Sequence, residues 1–266
     1  MSNMKLLSWN IQGRYYRGTY TPFLKIAPYL EKYDGDIVCL QEFSNADKKI
    51  KKIKNLNNYH IYIPQHNNYN EHHHSFNHNV ILSKKPIIAT QELTFDQLNE
   101  KKQMDGATCA DIQLNNKILR IYNCHLAIDG FGIATRLKQL QLLIKHSEKH
   151  QGPIIICGDM NTTIPAVGWR RFIISSWHQE PKNEMQVEGQ YYKHAEKEIF
   201  QQYAKKCGFN ETFPLNKPTW SPFYSKKLQL FKLKLDWCLR KDISFESATM
   251  GPYLSDHRPL QVLLEV

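Results

Sequence analysis

Residues 153–162 read PIIICGDMNT. Three consecutive isoleucines between Pro153 and Cys157 make a short apolar run, the pattern of a buried strand. The run breaks at Gly158, and an acid, Asp159, follows at once. A buried strand that stops in this way delivers a carboxylate to the edge of a sheet. A turn can begin in the same way, because Asp and Asn favour turns. Taken alone, Gly158-Asp159 reads as a turn, so its meaning depends on the rest of the chain.

The pattern recurs. Residues 4–11 (MKLLSWNI) form a strand that ends in Trp9-Asn10. DIVCLQEF (36–43) is a buried strand ending in Gln41-Glu42. The strand 117–126 ends in Asn123-Cys124-His125-Leu126. LQLFKLKLDWCL (228–239) carries Asp236 before Trp237. Ser255-Asp256-His257 stands just before the last strand, PLQVLLEV (259–266). Six such ends together make an oxygen-rich site with general acid–base capacity.

Between these strands the chain alternates with helices. The pattern predicts a helix over 21–33 with Pro22 near its start, and an amphipathic one over 135–150. Ser44 followed by Asp47 resembles a capping box. It would open a helix over 47–56, with Ile50, Ile53 and Leu56 inward and five lysines elsewhere. Short strands are expected at 59–63 and 79–83, and a hairpin turning at Asn115-Asn116 joins 107–114 to 117–126. Surface insertions are expected near 64–78 and 178–195, and 165–212 reads as mostly helix and loop. No Pro- or Ser-rich linker divides the chain, so 1–266 reads as a single α/β domain.

The 266 residues carry 35 Lys+Arg against 25 Asp+Glu, a formal net charge of +10. Such a balance favours an anionic partner: nucleic acid, a phosphorylated small molecule or an acidic membrane surface. Nothing approaches the roughly 20 apolar residues of a membrane span, and the first residues lack the pattern of a signal peptide. The six cysteines are scattered with no CxxC pair. Cys39, Cys124 and Cys157 lie in apolar runs and read as small hydrophobes, which favours a reducing compartment and a cytoplasmic location. A monomer is expected, and export without an N-terminal signal stays open.

The segments LSWNIQG (7–13), CLQEF (39–43), NVILSKKPI (79–87), YNCHL (122–126), ICGDMNT (156–162), KPTW (217–220), KLDW (234–237) and LSDHRPL (254–260) occur in one order. Their series resembles the endonuclease/exonuclease/phosphatase superfamily, the DNase-I-like fold, from residue 6 to the C-terminus. The resemblance implies a four-layer α/β/β/α sandwich of two mixed sheets and a phosphohydrolase that uses Mg²⁺ or Mn²⁺. It implies Glu42 as principal metal ligand, with Asn10 supporting it and Asp256 joining the metal site. Asp159 would orient or deprotonate the attacking water. Asn161 would donate to the phosphate. His257 would face the phosphoryl oxygen, held in its tautomer by Asp236, and His125 would be a second phosphate contact. These roles suit a reaction whose anionic substrate repels hydroxide.

Other residues are weighed against plainer meanings. Arg136 is a phosphate contact or a solvated helix arginine. Trp220 reads as core packing, with Thr219 a minor site contributor. Strand alternation places Lys232, Lys234 and Asp236 on one face, so the two lysines line the approach to the site or protect an exposed strand edge. The lysines of 48–54 track a nucleic-acid backbone or form a solvated face. His72-His73-His74, with His66 and His78, invites a metal reading, but adjacent histidines do not easily converge on one ion; the loop reads as polar and bordering the substrate. Tyr122 and Asn123 are expected to pair within the sheet.

His125 matches the DNase-like, sphingomyelinase, deadenylase, inositol-phosphatase and tyrosyl-DNA phosphodiesterase branches of the resembling family and disfavours abasic-site repair. TTIPAVGWRR (162–171) does not match the inositol-polyphosphate 5-phosphatase signature. The charge then favours a nuclease acting on DNA or RNA. A phosphatase or phospholipase on phosphoinositides or sphingomyelin is the alternative, and a non-catalytic binding module the third.

Overall fold

A strand whose residues are mostly buried on both faces needs a neighbour on both edges and cover on both faces. β1 (Asn3–Asn10) finds both. It pairs antiparallel with β16 (Leu260–Glu265) and parallel with β4 (Ile37–Gln41). In the computed structural model, which describes residues 3–12, 15–16, 19–20, 23–65, 68–70, 75–95, 106–127, 132–163, 195–221 and 232–266, two six-stranded sheets are built around such strands. The first sheet continues from β4 to β8 (Val80–Ser83) and β5 (His60–Tyr62), and from β16 to β15 (Ser244–Met250). The second runs in the order β13 (Asn210–Glu211), β14 (Asp236–Lys241), β12 (Ile154–Asp159), β11 (Ile118–His125), β10 (Gly106–Gln113) and β9 (Ile87–Thr94). Two small ribbons stand apart, β2 (Tyr15–Tyr16) with β3 (Thr19–Tyr20), and β6 (Asn68–Asn70) with β7 (Ser75–Asn77).

Each sheet holds a parallel pair, and a parallel pair needs a crossover. Helix α1 (Phe23–Tyr33) carries the chain from β1 to β4, and α2 (Gly132–Ser147) carries it from β11 to β12. Ile26 and Ala27 of α1 pack with Leu7, Val38 and Leu82 on the outside of the first sheet. Leu140 and Ile144 of α2, and Phe200 of α3 (Glu196–Lys206), pack with Tyr122, Ile156 and Trp237 on the outside of the second. Between the sheets lies a third core holding Leu6, Ile37, Ile121, Ile155 and Cys157. The result is the expected α/β/β/α sandwich, with modest helical cover. Among the described residues no helix is long and apolar enough to cross a membrane.

The registers stack the inward-facing residues in layers. Leu6 pairs with Ile37, and Ile121 with Ile155; one step on, Ser8 pairs with Cys39, and Asn123 with Cys157 and through it Cys238. Two residues further, Asn10 pairs with Gln41, His125 with Asp159, and Asp159 with Asp236. Because strand side chains repeat every two residues, one face passes from aliphatic to small polar to acidic as it approaches the strand ends. Gly158 lies just before the last layer. A Cβ there would meet the Cys124 carbonyl oxygen at 2.0 Å, so only glycine lets β11 and β12 close up.

Several local expectations are corrected. The helix over 47–56 is instead a single turn, Ala46–Lys49, followed by a 3₁₀ turn, Ile50–Lys52. Asn45, in the left-handed region, stands at its start, and the capping box is absent: the Ser44 hydroxyl accepts from Lys49 Nζ at 2.9 Å. Of the strand expected over 228–239, residues 228–231 lie outside the described residues, 232–235 hold only an isolated bridge at Leu233, and the regular strand runs over Asp236–Lys241. The edge strands β9 and β15 were not expected, because their largely exposed, polar residues lack a clean alternation. The loop over 64–78 contains the β6–β7 ribbon. His66, His72, His73 and His74, and residues 178–194 of the second insertion, lie outside the described residues. All six cysteines are free, and Cys39, Cys124 and Cys157 are buried as expected.

Candidate active site

The third layer is the site. Asn10 ends β1, and its Nδ2 donates to Asp159 Oδ2 at 2.9 Å and to Glu42 Oε1 at 3.3 Å. This one carboxamide therefore ties the first sheet to the second. Its Oδ1 accepts from the Gln12 backbone N–H at 3.0 Å, which fixes its orientation. Glu42 follows β4 in a left-handed conformation, with φ 53°. Asn161, two residues past the end of β12, has φ 50°. Its backbone N–H donates to Asp159 Oδ1 at 2.9 Å, and its Nδ2 donates to the Leu126 carbonyl at 2.9 Å.

Two histidines approach the same oxygen of Asp159. His125 Nε2 and His257 Nε2 both lie 3.6 Å from Asp159 Oδ2, and His125 Nε2 is also 3.4 Å from Glu42 Oε1. His257 Nδ1 lies 2.8 Å from Asp236 Oδ2, so the carboxylate holds the proton on Nδ1. The loop before β16 is pinned by Ser255, whose hydroxyl takes a bond from the Trp9 indole N–H at 3.1 Å and donates to the Asn10 carbonyl at 2.9 Å. Asp256 Oδ2 accepts from Trp220 Nε1 at 3.1 Å.

The electrostatics follow from burial. Desolvation raises the Asp159 carboxyl, and nearby Asp236 adds to it, while His257 and His125 oppose it. Asp256 is pushed up to about 7, first by burial and then by the charges of Glu42 and Asp159. Burial works to lower the His257 imidazole, but Asp236, Asp256 and Asp159 together outweigh it and hold it well above its ordinary value. Asp159, Asp236 and His257 offer ligand atoms within 4.8 Å of one another, a grouping compact enough for a metal ion. Asp236 Oδ1 and Asp256 Oδ1 are buried with no hydrogen-bond partner among the described residues.

The structure brings Asn10, Glu42, His125, Asp159, Asn161, Asp236, Asp256 and His257 to one edge. It places Arg136, Lys234 and Thr219 differently from the expectation. Arg136 is neither a phosphate contact nor solvated: it is fully buried on α2 and pairs with Glu196 through Nε at 2.6 Å and its terminal nitrogen at 2.9 Å. Lys234 does not line the approach. It is buried, 3.0 Å from both Glu211 Oε1 and the Asp236 carbonyl, and it lies over the Trp237 ring. Alternation fails there because 232–235 are not paired as a regular strand; Lys232 is exposed. Thr219 is fully buried, and its hydroxyl accepts from the backbone N–H groups of Leu235 and Asp236, so it positions Asp236 from behind. Trp220 is a site residue rather than core packing. Its indole N–H, bonded to Asp256, is the signal that composition does not carry.

The family model of the Endonuclease/Exonuclease/phosphatase family matches residues 7–257. No curated protein sequence matches the chain. Among solved structures, an endonuclease/exonuclease/phosphatase from Beutenbergia cavernae DSM 12333 superposes with TM-score 0.73 at 14% identity, over 99% of this chain and 72% of that one. D. rerio TDP2 complexed with a single-strand DNA product superposes with TM-score 0.67 at 15% identity, over 100% of both chains. A Leptotrichia buccalis family protein gives 0.67 at 13% identity, over 99% of this chain and 100% of that one. The chain thus belongs to the endonuclease/exonuclease/phosphatase family, hydrolases of phosphoester bonds that generally depend on a divalent metal.

Proposed function

We propose that this chain is a Mg²⁺- or Mn²⁺-dependent phosphodiesterase that cleaves nucleic acid by in-line attack of an activated water. The observation that carries the reading is the placement of Asp159 Oδ2 at 3.6 Å from two histidines, one of them backed by Asp236 at 2.8 Å. Asp159 orients the attacking water and accepts its proton. His257, kept protonated by its three acidic neighbours, presents Nε2–H to a phosphoryl oxygen, where negative charge builds up. His125 and Asn161 supply further phosphate contacts from the other side. Asn10 holds Asp159 and Glu42 in one geometry.

Glu42 and Asp256, supported by Asn10, hold the metal in this reading. The donor set fits: hard oxygens suit Mg²⁺ or Mn²⁺, and the buried Asp256 Oδ1, beside the charge of Glu42, makes no hydrogen bond among the described residues, with His257 Nε2 no nearer than 3.9 Å. Asp236 is less apt as a ligand, because its Oδ2 is already committed to His257. A bound ion would neutralise phosphoryl charge. Nucleic acid is favoured over other phosphate esters by the net charge of +10 and by the DNA product held by a TDP2 of the same fold.

The test is a turnover panel with Mg²⁺ and Mn²⁺. It covers single- and double-stranded DNA, RNA, 5′-tyrosyl DNA, bis(p-nitrophenyl) phosphate, phosphoinositides and sphingomyelin. Nucleic-acid cleavage that EDTA stops, and that falls at least about 10²-fold in Asp159→Ala and His257→Ala, is expected. Turnover of lipid head groups alone would replace nucleic acid as the substrate. Unimpaired variants would overturn the site.

A further inference from the structure

Beneath the catalytic edge the two sheets are joined by a carboxamide pair. Gln41 and Asn123 are both fully buried, and Gln41 Nε2 donates to Asn123 Oδ1 at 2.6 Å across the gap between the sheets. The orientation of both amides is determined by their neighbours. Asn123 Nδ2 donates to the Leu40 carbonyl at 3.0 Å and to the Val80 carbonyl at 2.8 Å. Its Oδ1 therefore faces Gln41 as an acceptor, and Gln41 must present its nitrogen. That nitrogen also lies 3.2 Å from Ser8 Oγ and from the Cys39 carbonyl, both within the first sheet. Gln41 Oε1 has no hydrogen-bond partner among the described residues. The Asn123 backbone thus pairs within its own sheet, as the sequence suggests, while its side chain fastens the ends of β4 and β8 in the other one.

The position of this pair along the strands matters. Glu42 is the next residue after Gln41, and His125 lies two beyond Asn123 on the same face of β11. Glu42 belongs to the first sheet, and His125 and Asp159 to the second. An aliphatic contact would permit the sheets to slide by fractions of an ångström, whereas a directional bond fixes their spacing and register. We infer that Gln41 and Asn123 are positioning residues, which set the distance between Glu42 on one sheet and His125 and Asp159 on the other. The inference rests on the phosphodiesterase reading for its activity readout, but not for its binding readout.

The test compares the wild type with Gln41→Met, Asn123→Leu and the double variant, which replaces both amides by apolar groups of similar volume. Ser8→Ala is the control, since it removes a bond to the same amide while leaving the Gln41–Asn123 bond in place. Each protein is checked for a cooperative melt. Expected in the double variant is a loss of about 10- to 100-fold in kcat for bis(p-nitrophenyl) phosphate and a weakened Mn²⁺ affinity. KM should move less than about twofold, and Ser8→Ala should match the wild type. If the double variant does not fold, Gln41→Met keeps the Asn123 bonds to Leu40 and Val80 and is judged by the same readouts. A folded variant with unchanged kcat and unchanged Mn²⁺ affinity overturns the inference. A wild type that binds Mn²⁺ but turns over no phosphate ester refutes the phosphodiesterase reading alone, and the Mn²⁺ comparison then decides. A wild type with neither property overturns both.

Discussion

His257 Nδ1 lies 2.8 Å from Asp236 Oδ2, and the opposite nitrogen of the same ring faces Asp159 at 3.6 Å. The imidazole is thus held between two carboxylates, with Asp256 Oδ1 a third at 3.9 Å.

Asp236→Asn tests this arrangement. The carboxamide keeps the volume but removes one of the charges that favour the imidazolium, so the ring loses its proton at a lower pH. The alkaline limb of the kcat–pH profile is expected to move toward acid, with kcat down about 10² to 10⁴-fold. An unmoved limb would show that another group controls it.

The acidic edge also governs stability. The Asp256 carboxyl has a folded pKa of about 7 against 3.8 for the free side chain. Between those values the folded state binds the proton more tightly, so metal-free stability declines as pH rises through that window. The raised Asp159 and His257 act in the same direction. Melting curves in EDTA should show Asp256→Asn gaining on the wild type between pH 5 and pH 8. Mn²⁺ should stabilise the wild type at pH 8 by about 2.7 kcal/mol at about 100 times Kd, and the variant by much less. Equal Mn²⁺ responses would remove Asp256 from the metal site.

The Arg136–Glu196 pair joins α2 to α3 with both side chains fully buried. Arg136→Met leaves Glu196 charged in the core and is expected to cost about 3–5 kcal/mol in urea unfolding. Adding Glu196→Leu should recover much of it. Activity per folded molecule should stay near wild type, since neither group reaches the site.

Gly158→Ala places a methyl against the Cys124 carbonyl, at a backbone φ of 135° that alanine rarely adopts. A loss of at least about 3 kcal/mol is expected. A variant melting within a few degrees of the wild type would mean that the β11–β12 spacing is softer than the register implies.

Much of the candidate site was legible because strand periodicity is local. Asn10, Glu42, His125 and Asp159 stand where apolar runs end, and parallel and antiparallel pairing brings those ends to one side. Asp236 lies at the start of its strand instead, yet the antiparallel partner of β12 begins where β12 stops. What periodicity does not carry is which residues meet across the gap. Gln41 and Asn123 looked like ordinary polar strand residues until the two sheets were stacked. Arg136 looked like a surface arginine because its partner lies 60 residues away. Lys234 failed for a different reason: alternation applies only to a strand, and the chain straightens into one only after it. The short turns of 46–52 replaced a helix because Ile50 and Ile53, three residues apart, bury equally well in a 3₁₀ turn.

The left-handed backbone at Glu42 sets a direction for sequence drift. An L-residue in that region costs about 1–2 kcal/mol relative to what glycine needs there. Replacement by glycine would ease the conformation and remove the carboxylate at the same time. A lineage released from selection for hydrolysis has a downhill step at this residue: it can trade chemistry for a firmer fold in one substitution. Glutamate kept at this position across relatives would therefore mark selection for the carboxylate, and a relative carrying glycine there would be a candidate for a protein that keeps the sandwich for docking alone.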